Sequence, residues 1–237
     1  MVTGSSRGIG AEIARRLAGA GAAVAINYAG NQAAADLLVS EIQGTGGQAI
    51  AVKADVGVAA DVKSMFDAAI NRLGTLDILV NNAGIVLYRR IEDTTDAEFD
   101  RLLQVNVRGV FLTLREAAAR LASGGRIVSL SSSVTRLMMP TYATYSATKS
   151  AVKQMSRVFA KEVGARGITV NTVAPGPTST ELFTGGKSED TTKRLAALSA
   201  FNRIGDPADI ARLVVFLVGD EAAWITGQNI GANGGMA

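Results

Sequence analysis

The chain has 237 residues, 48% of them hydrophobic and 19% charged, enough to close one sizeable core and too few for a second full domain. It contains no cysteine and no histidine, which removes disulfides, thiolate nucleophiles, thiolate-bound metals and the commonest general base and metal ligand together, so no metal is expected. The net charge of +3 leaves no basic footprint for nucleic acid, and with no secretory leader and no apolar run of about 18 or more residues the chain is expected in the cytoplasm, without a membrane span.

In chain order, Met1 and Val2 pass at once into the glycine-rich run Thr3, Gly4, Ser5, Ser6, Arg7, Gly8, Ile9, Gly10, which opens a helix. A first strand therefore reads as truncated, and a chain beginning at Met1 forfeits several central ladder hydrogen bonds. Strands are predicted at residues 22–27, 48–53, 76–80, 126–130 and 168–173, each apolar almost throughout, as strands buried on both faces are. The segments between them have helical periodicity. Val62, Met65, Phe66, Ala69, Ile70 and Leu73 recur at three and four residues and form one sheet-facing stripe. Thr95 with Glu98 makes a capping box for a long helix running to Leu121, and Asp206 before Pro207 is an N-cap followed by proline at the first helical position. Residues 176–205 carry Gly185, Gly186, mixed charge and weak periodicity, and are expected to form a mobile insertion. No repeat or Pro/Ser-rich linker divides the chain, so one domain over residues 1–237 is predicted, with strands and helices alternating as in a doubly wound α/β parallel sheet.

Three clusters carry chemistry. Glycines at positions 4, 8 and 10 allow a sharp turn that brings backbone amides and a helix N-terminus to a pyrophosphate, although an ordinary tight turn has the same composition. Tyr145 and Lys149, four apart on one helix face, bring an ammonium near a phenol; that favours phenolate and lowers a pKa that is about 10 unperturbed. Ser132 stands thirteen residues before Tyr145, at the carboxyl edge of the predicted sheet, where a hydroxyl can hold a substrate oxygen. Its neighbours Ser131 and Ser133 are of the same type, and spacing alone does not choose among the three. Asn81, Asn82, Ala83 and Gly84 form a polar turn closing the strand at 76–80.

Together these residues resemble the short-chain dehydrogenase/reductase family over essentially the whole chain. Thr3 to Gly10 match TGxxxGxG, Asn81 to Gly84 match NNAG, Tyr145 to Lys149 match YxxxK, and Ser132 matches the family's serine. The resemblance implies a Rossmann-type fold and a catalytic set of Asn106, Ser132, Tyr145 and Lys149. Tyr145 is then the acid or base, Ser132 orients the substrate oxygen, Lys149 tunes Tyr145 and bonds the nicotinamide ribose, and Asn106 holds a water that links Lys149 to solvent. It also implies cofactor contacts from Gly4, Ser6, Arg7, Gly8, Ile9, Gly10, Asn27, Tyr28, Asp55, Val56, Asn82, Ala83, Gly84, Tyr145, Lys149, Pro175, Gly176 and Thr178. The closing run Ile225 to Gln228 with Gly234 and Gly235 is similar to the family's terminus and implies a homotetramer, for which the helix at 95–121 and the apolar run 213–218 supply faces.

The implied reaction moves a hydride between nicotinamide and a small-molecule carbonyl or alcohol, and the substrate is not encoded recognisably. A 3-oxoacyl-carrier-protein reductase is the alternative enzyme; a non-catalytic dinucleotide-binding redox sensor is the alternative from another class. For the cofactor, NADP(H) is expected rather than NAD(H). No acidic residue follows the strand at 22–27 before Asp36, and Arg7 is placed to reach a 2′-phosphate.

Overall fold

The apolar runs of the sequence lie side by side in the computed structural model, which describes residues 1–185 and 188–237. Six strands, β1 (Val24–Tyr28), β2 (Ala49–Lys53), β3 (Ile78–Asn81), β4 (Arg126–Leu130), β5 (Thr169–Pro175) and β6 (Asn229–Ala232), pair in parallel throughout, in the order β2-β1 on one side and β3-β4-β5-β6 on the other. Val2 joins the two groups. It bridges Ile26 on β1 and Val80 on β3, with its N–H donating to Ala25 O at 3.0 Å and its carbonyl accepting from Asn27 at 3.1 Å. Met1 and Val2 thus occupy the central position of the sheet, where the sequence reads as a truncated first strand. From Val2 the chain turns to one side for β1 and β2 and to the other for β3 onward. The glycine-rich run therefore leaves the sheet where its strand order reverses, the crevice in which such folds bind ligands.

Because strand side chains alternate, the sheet buries both faces. On one, Ile13 and Leu17 of α1 (Gly8–Gly19), Leu38 and Ile42 of α2 (Gln32–Gly44), and Ile210, Val214 and Leu217 of α9 (Pro207–Val218) pack on Val24, Ile26, Val80, Val128 and Val173. On the other, Val62, Met65 and Phe66 of α3 (Ala59–Leu73), Leu112 and Leu114 of α5 (Gly109–Arg120), and Val152 and Phe159 of α6 (Ala143–Val163) pack on Ala25, Ile50, Leu79, Ile127 and Val170. Both expected helix starts are present. Thr95 and Glu98 exchange bonds ahead of α4 (Asp96–Leu103), as do Asp206 and Asp209 ahead of α9.

Three features differ from the sequence expectation. The helix predicted at 95–121 is interrupted by a wider π turn, Gln104–Arg108, in which Gly109 N–H reaches back to Gln104 O. Hydrophobic spacing does not reveal one extra residue in a turn, and such turns concentrate at functional sites. The segment at 176–205 is not an irregular insertion over its described part. It forms α7 (Glu181–Thr184) and α8 (Glu189–Ala196), N-capped by the Thr180 and Ser188 side chains, while Gly186 lies outside the described residues. The edge strand β6 was not predicted, because a half-exposed Asn-Ile-Gly-Ala reads as a turn. Among the described residues no helix is long and apolar enough to cross a membrane.

Candidate active site

The glycine-rich run is held by the turn after β3. Thr3 Oγ1 accepts from the N–H groups of Asn82 and Ala83, each at 3.0 Å, and Asn82 Nδ2 donates to the carbonyls of Thr3 and Gly4 at 2.9 Å. The contact is too close for side chains on the loop. Gly4 sits at φ +59°, and a Cβ there would lie 2.7 Å from Ala83 Cα; one on Gly10 would collide with Asn82 Nδ2. Behind this turn Asn81 donates to Ser129 Oγ at 3.1 Å and accepts from Thr113 Oγ1 at 2.7 Å, so a buried polar chain fixes the end of β3.

Two cavities meet above the loop and share Ile9, Asn82, Gly84, Ile85 and Thr180. The first is lined by Gly4, Ser6, Arg7, Gly8, Ile9, Asn27, Tyr28, Asp55, Val56, Asn82, Ala83 and Gly84, which brings together most of the residues expected at a dinucleotide; Gly10 is not on its wall but packs against Asn82 and the Gly4–Ser5 backbone. Asn27 lines this cavity with its side chain already committed. Its Oδ1 accepts from Gly4 N–H at 2.9 Å, and its Nδ2 donates to Val52 O at 3.3 Å and Ala54 O at 3.1 Å. It is a brace between loop and sheet. Asp55 accepts from Gly57 N–H at 2.8 Å and pairs with Arg101 at 3.3 Å. Arg7 reaches across to Glu181 of α7 at 2.9 Å, and both side chains are largely in solvent. Arg101 is a second guanidinium on the cavity wall that sequence reasoning missed, because only the tertiary fold brings α4 there.

The second cavity gathers Ser132, Tyr145, Lys149, Pro175, Gly176 and Thr178. The choice among the three serines is made by their partners. Ser131 Oγ donates to Lys149 O at 3.3 Å, and Ser133 Oγ donates to Ala174 O at 3.2 Å while accepting from Asn233. Ser132 caps the short turn Ser133–Arg136 and faces the Tyr145 phenol across the cavity, where its hydroxyl lowers the phenol's pKa. Lys149, 6% exposed, donates to Leu130 O at 2.9 Å, and its Nζ lies 5.9 Å from the Tyr145 ring centre. Asn106, in the π turn, lines neither cavity. Its amide accepts from Ile85 N–H at 2.9 Å and donates to Ile85 O at 2.8 Å and Thr148 Oγ1 at 3.1 Å, so it clamps the Gly84–Ile85 backbone to α6 rather than offering a side chain to a water. Thr178 is buried with its hydroxyl turned to Gly176 O at 2.9 Å. Thr180 is the threonine at the junction of the two cavities, its methyl against Gly8, and its position as N-cap of α7 was the available sequence signal.

The chain as a whole has counterparts in known proteins. A family model described as enoyl-(acyl carrier protein) reductase matches residues 4–237. A short-chain dehydrogenase/reductase from Serratia marcescens superposes with a TM-score of 0.95 at 39% identity, over 99% of this chain and 96% of that one. The chain is a short-chain dehydrogenase/reductase. An NADPH-dependent aldehyde reductase-like protein of Arabidopsis thaliana is 46% identical over 99% of this chain and 92% of its own length. The angucycline C-6 ketoreductase LanV, solved with bound NADP, has a TM-score of 0.94 and 40% identity, covering 99% of this chain and 93% of that one.

The electrostatics of this short-chain dehydrogenase/reductase depart from the expectation that Lys149 lowers the Tyr145 pKa. Burial pushes the phenol up to about 12, against a smaller opposing effect of the Ser132 hydroxyl, and burial also pushes Lys149 down to about 8. Removal from water outweighs the attraction of an ammonium that is turned toward Leu130 O. At neutral pH Tyr145 therefore holds its proton and Lys149 is still mostly charged.

Proposed function

We propose that this short-chain dehydrogenase/reductase is an NADP(H)-dependent oxidoreductase acting between a carbonyl and a secondary alcohol, with Tyr145 as general acid or base. The observation that carries this reading is the convergence of Ser132, Tyr145 and Lys149 at one end of a groove whose other end is the glycine loop. The cradle at Gly4, the amides opening α1 and the adjoining cavity beside Tyr28 and Asp55 fit a dinucleotide. When bound, the nicotinamide supplies the hydride.

The chain's own residues supply the rest. Ser132 holds the carbonyl oxygen, and the protonated Tyr145 phenol donates to it as charge develops. The Lys149 ammonium stabilises the phenolate left behind, and Asn106 positions α6 through Thr148. In the reverse direction the same phenol must first lose its proton, so alcohol oxidation needs a higher pH than ketone reduction. NADP(H) is supported by Arg7 at the adenosine end, by the absence of an acid directly after β1, and by the NADPH-dependent and NADP-bound relatives. Residues 176–205 form part of the substrate wall through Thr178, Phe183 and Leu195. Exposed Phe99 and Phe111 along α4 and α5, with Phe216 on α9 and Trp224, support a homotetramer. Loss of NADPH absorbance with a panel of ketones, in the parent but not in Tyr145→Phe, tests the reading; a Phe variant with parental turnover would refute it.

A further inference from the structure

Beyond Ser132 and Tyr145, the wall of the substrate cavity is built from Val86, Leu137, Met139, Phe183, Leu195 and Met236, with the rings of Tyr88 and Tyr142. Lys149 is the one charged residue among the described residues that line it, and its ammonium is bonded to Leu130 O. Polar groups on this wall are few, among them Asn82, Thr178, Thr180 and the two phenols, so most hydroxyl groups of a sugar would lie against apolar atoms, and an unpaired buried hydroxyl is costly. The Tyr88 and Tyr142 rings stand edge to face, with centres 5.0 Å apart and planes at 64°. Burial holds both phenols above their ordinary pKa, so neither brings charge into the cavity.

We propose that this cavity takes an uncharged ketone that carries an aromatic ring, the ring packed on the Tyr88–Tyr142 pair and the carbonyl at Ser132 and Tyr145. This rests on the reductase reading and names its substrate class. A flat ring adds a third member to an existing edge-to-face pair, a contact that a saturated chain of equal carbon number cannot make. Met139 and Met236 supply polarisable sulfur chains that adapt to a ring edge. The carbonyl fixes one end of the substrate by hydrogen bonds, and the aromatic pair fixes the plane of the other.

A matched pair of ketones tests this, 2-tetralone against 2-decanone, which have the same carbon count and one carbonyl each. With NADPH, kcat/KM for 2-tetralone is about tenfold or more higher than for 2-decanone. Tyr88→Phe keeps that ratio, and Tyr88→Leu lowers it by about three- to tenfold, chiefly through KM. Equal or better reduction of 2-decanone, or of an N-acetylcysteamine 3-oxoacyl thioester, overturns the inference, as does a Leu variant with the parental ratio. If no ketone oxidises NADPH, the reductase reading fails instead. Calorimetry of the two ketones on the NADPH-loaded protein then still decides the cavity's preference, with tighter binding of 2-tetralone supporting it and equal affinity overturning it.

Discussion

The side chain of Asn27 holds the backbone of Gly4, accepting its N–H at 2.9 Å while donating to the carbonyls that end β2. One buried amide thereby sets the distance between the glycine loop and the Ala54–Val56 wall. Asn27→Ala leaves the Gly4 N–H and the Ala54 carbonyl without their side-chain partner and costs about 1 to 3 kcal/mol of stability. It also raises the KM for NADPH more than it lowers kcat. Urea unfolding and steady-state kinetics check the two parts.

Tyr145→Phe removes the proton donor and leaves the ring in place. Turnover falls by about 10²- to 10⁴-fold, the range for general acid catalysis. NADPH affinity, read by fluorescence titration, stays near the parental value.

Lys149 gives a pH dependence of definite sign. Its folded pKa of about 8 lies below the ordinary lysine value of 10.5, because burial disfavours the ammonium. The native state therefore binds fewer protons than the unfolded chain between those values, and stability from this group rises with pH across that window; below pH 8 the group carries a constant cost. Lys149→Met removes that cost and the bond to Leu130 O together. The variant loses turnover but is more stable at pH 7 by about 1 to 2 kcal/mol, a rise in Tm visible by calorimetry. In the parent, ketone reduction declines as pH rises through about 8, where the ammonium is lost.

Arg7 is shared between Glu181 and the adenosine end of the groove. Arg7→Ala removes a charged hydrogen bond of about 1.5 to 3 kcal/mol and weakens NADPH by about ten- to a hundredfold, with NADH nearly unchanged. Glu181→Gln frees Arg7 from an exposed ion pair worth about 0.2 to 1 kcal/mol and tightens NADPH by about two- to fivefold. Parallel kinetics with the two cofactors measures both, and a parent that prefers NADH contradicts the assignment.

The exposed rings of Phe99 and Phe111 make the assembly testable. Light scattering gives a tetramer at micromolar concentration, and Phe111→Glu, which puts a charge in an apolar contact, shifts it to smaller species.

The sequence carried the parallel sheet and its two helical layers because burial on both faces writes a largely apolar run, clear in β1 to β4 and weaker in β5, where Thr169, Asn171 and Thr172 stand among the valines. It brought Tyr145 and Lys149 together because helical spacing is local. It could not rank Ser131, Ser132 and Ser133, whose roles are set by partners far along the chain: Lys149 O, Ala174 O and Asn233. Nor could it show that the Asn27 and Asn106 amides are saturated by backbone groups, since those partners lie on other strands and turns. The π turn at Gln104–Arg108 and the edge strand β6 leave no periodic trace. The Tyr145 shift came out opposite in sign because spacing reports proximity to a charge but not removal from water.

Val2 has a mechanical consequence. The two groups of strands meet along Val2, so this junction is a seam between two halves of the sheet, and cooperative unfolding units follow such boundaries. Amide hydrogen exchange at Val2, Asn27 and Val80, whose N–H groups cross the seam, then reports separation of the two halves rather than opening of the whole fold. The groove crosses the seam directly above, from Tyr28 and Asp55 on one side to Ser132 and Tyr145 on the other. A dinucleotide lying in it rivets the halves together, and its binding energy adds to the cohesion of the molecule as RT ln(1 + [L]/Kd).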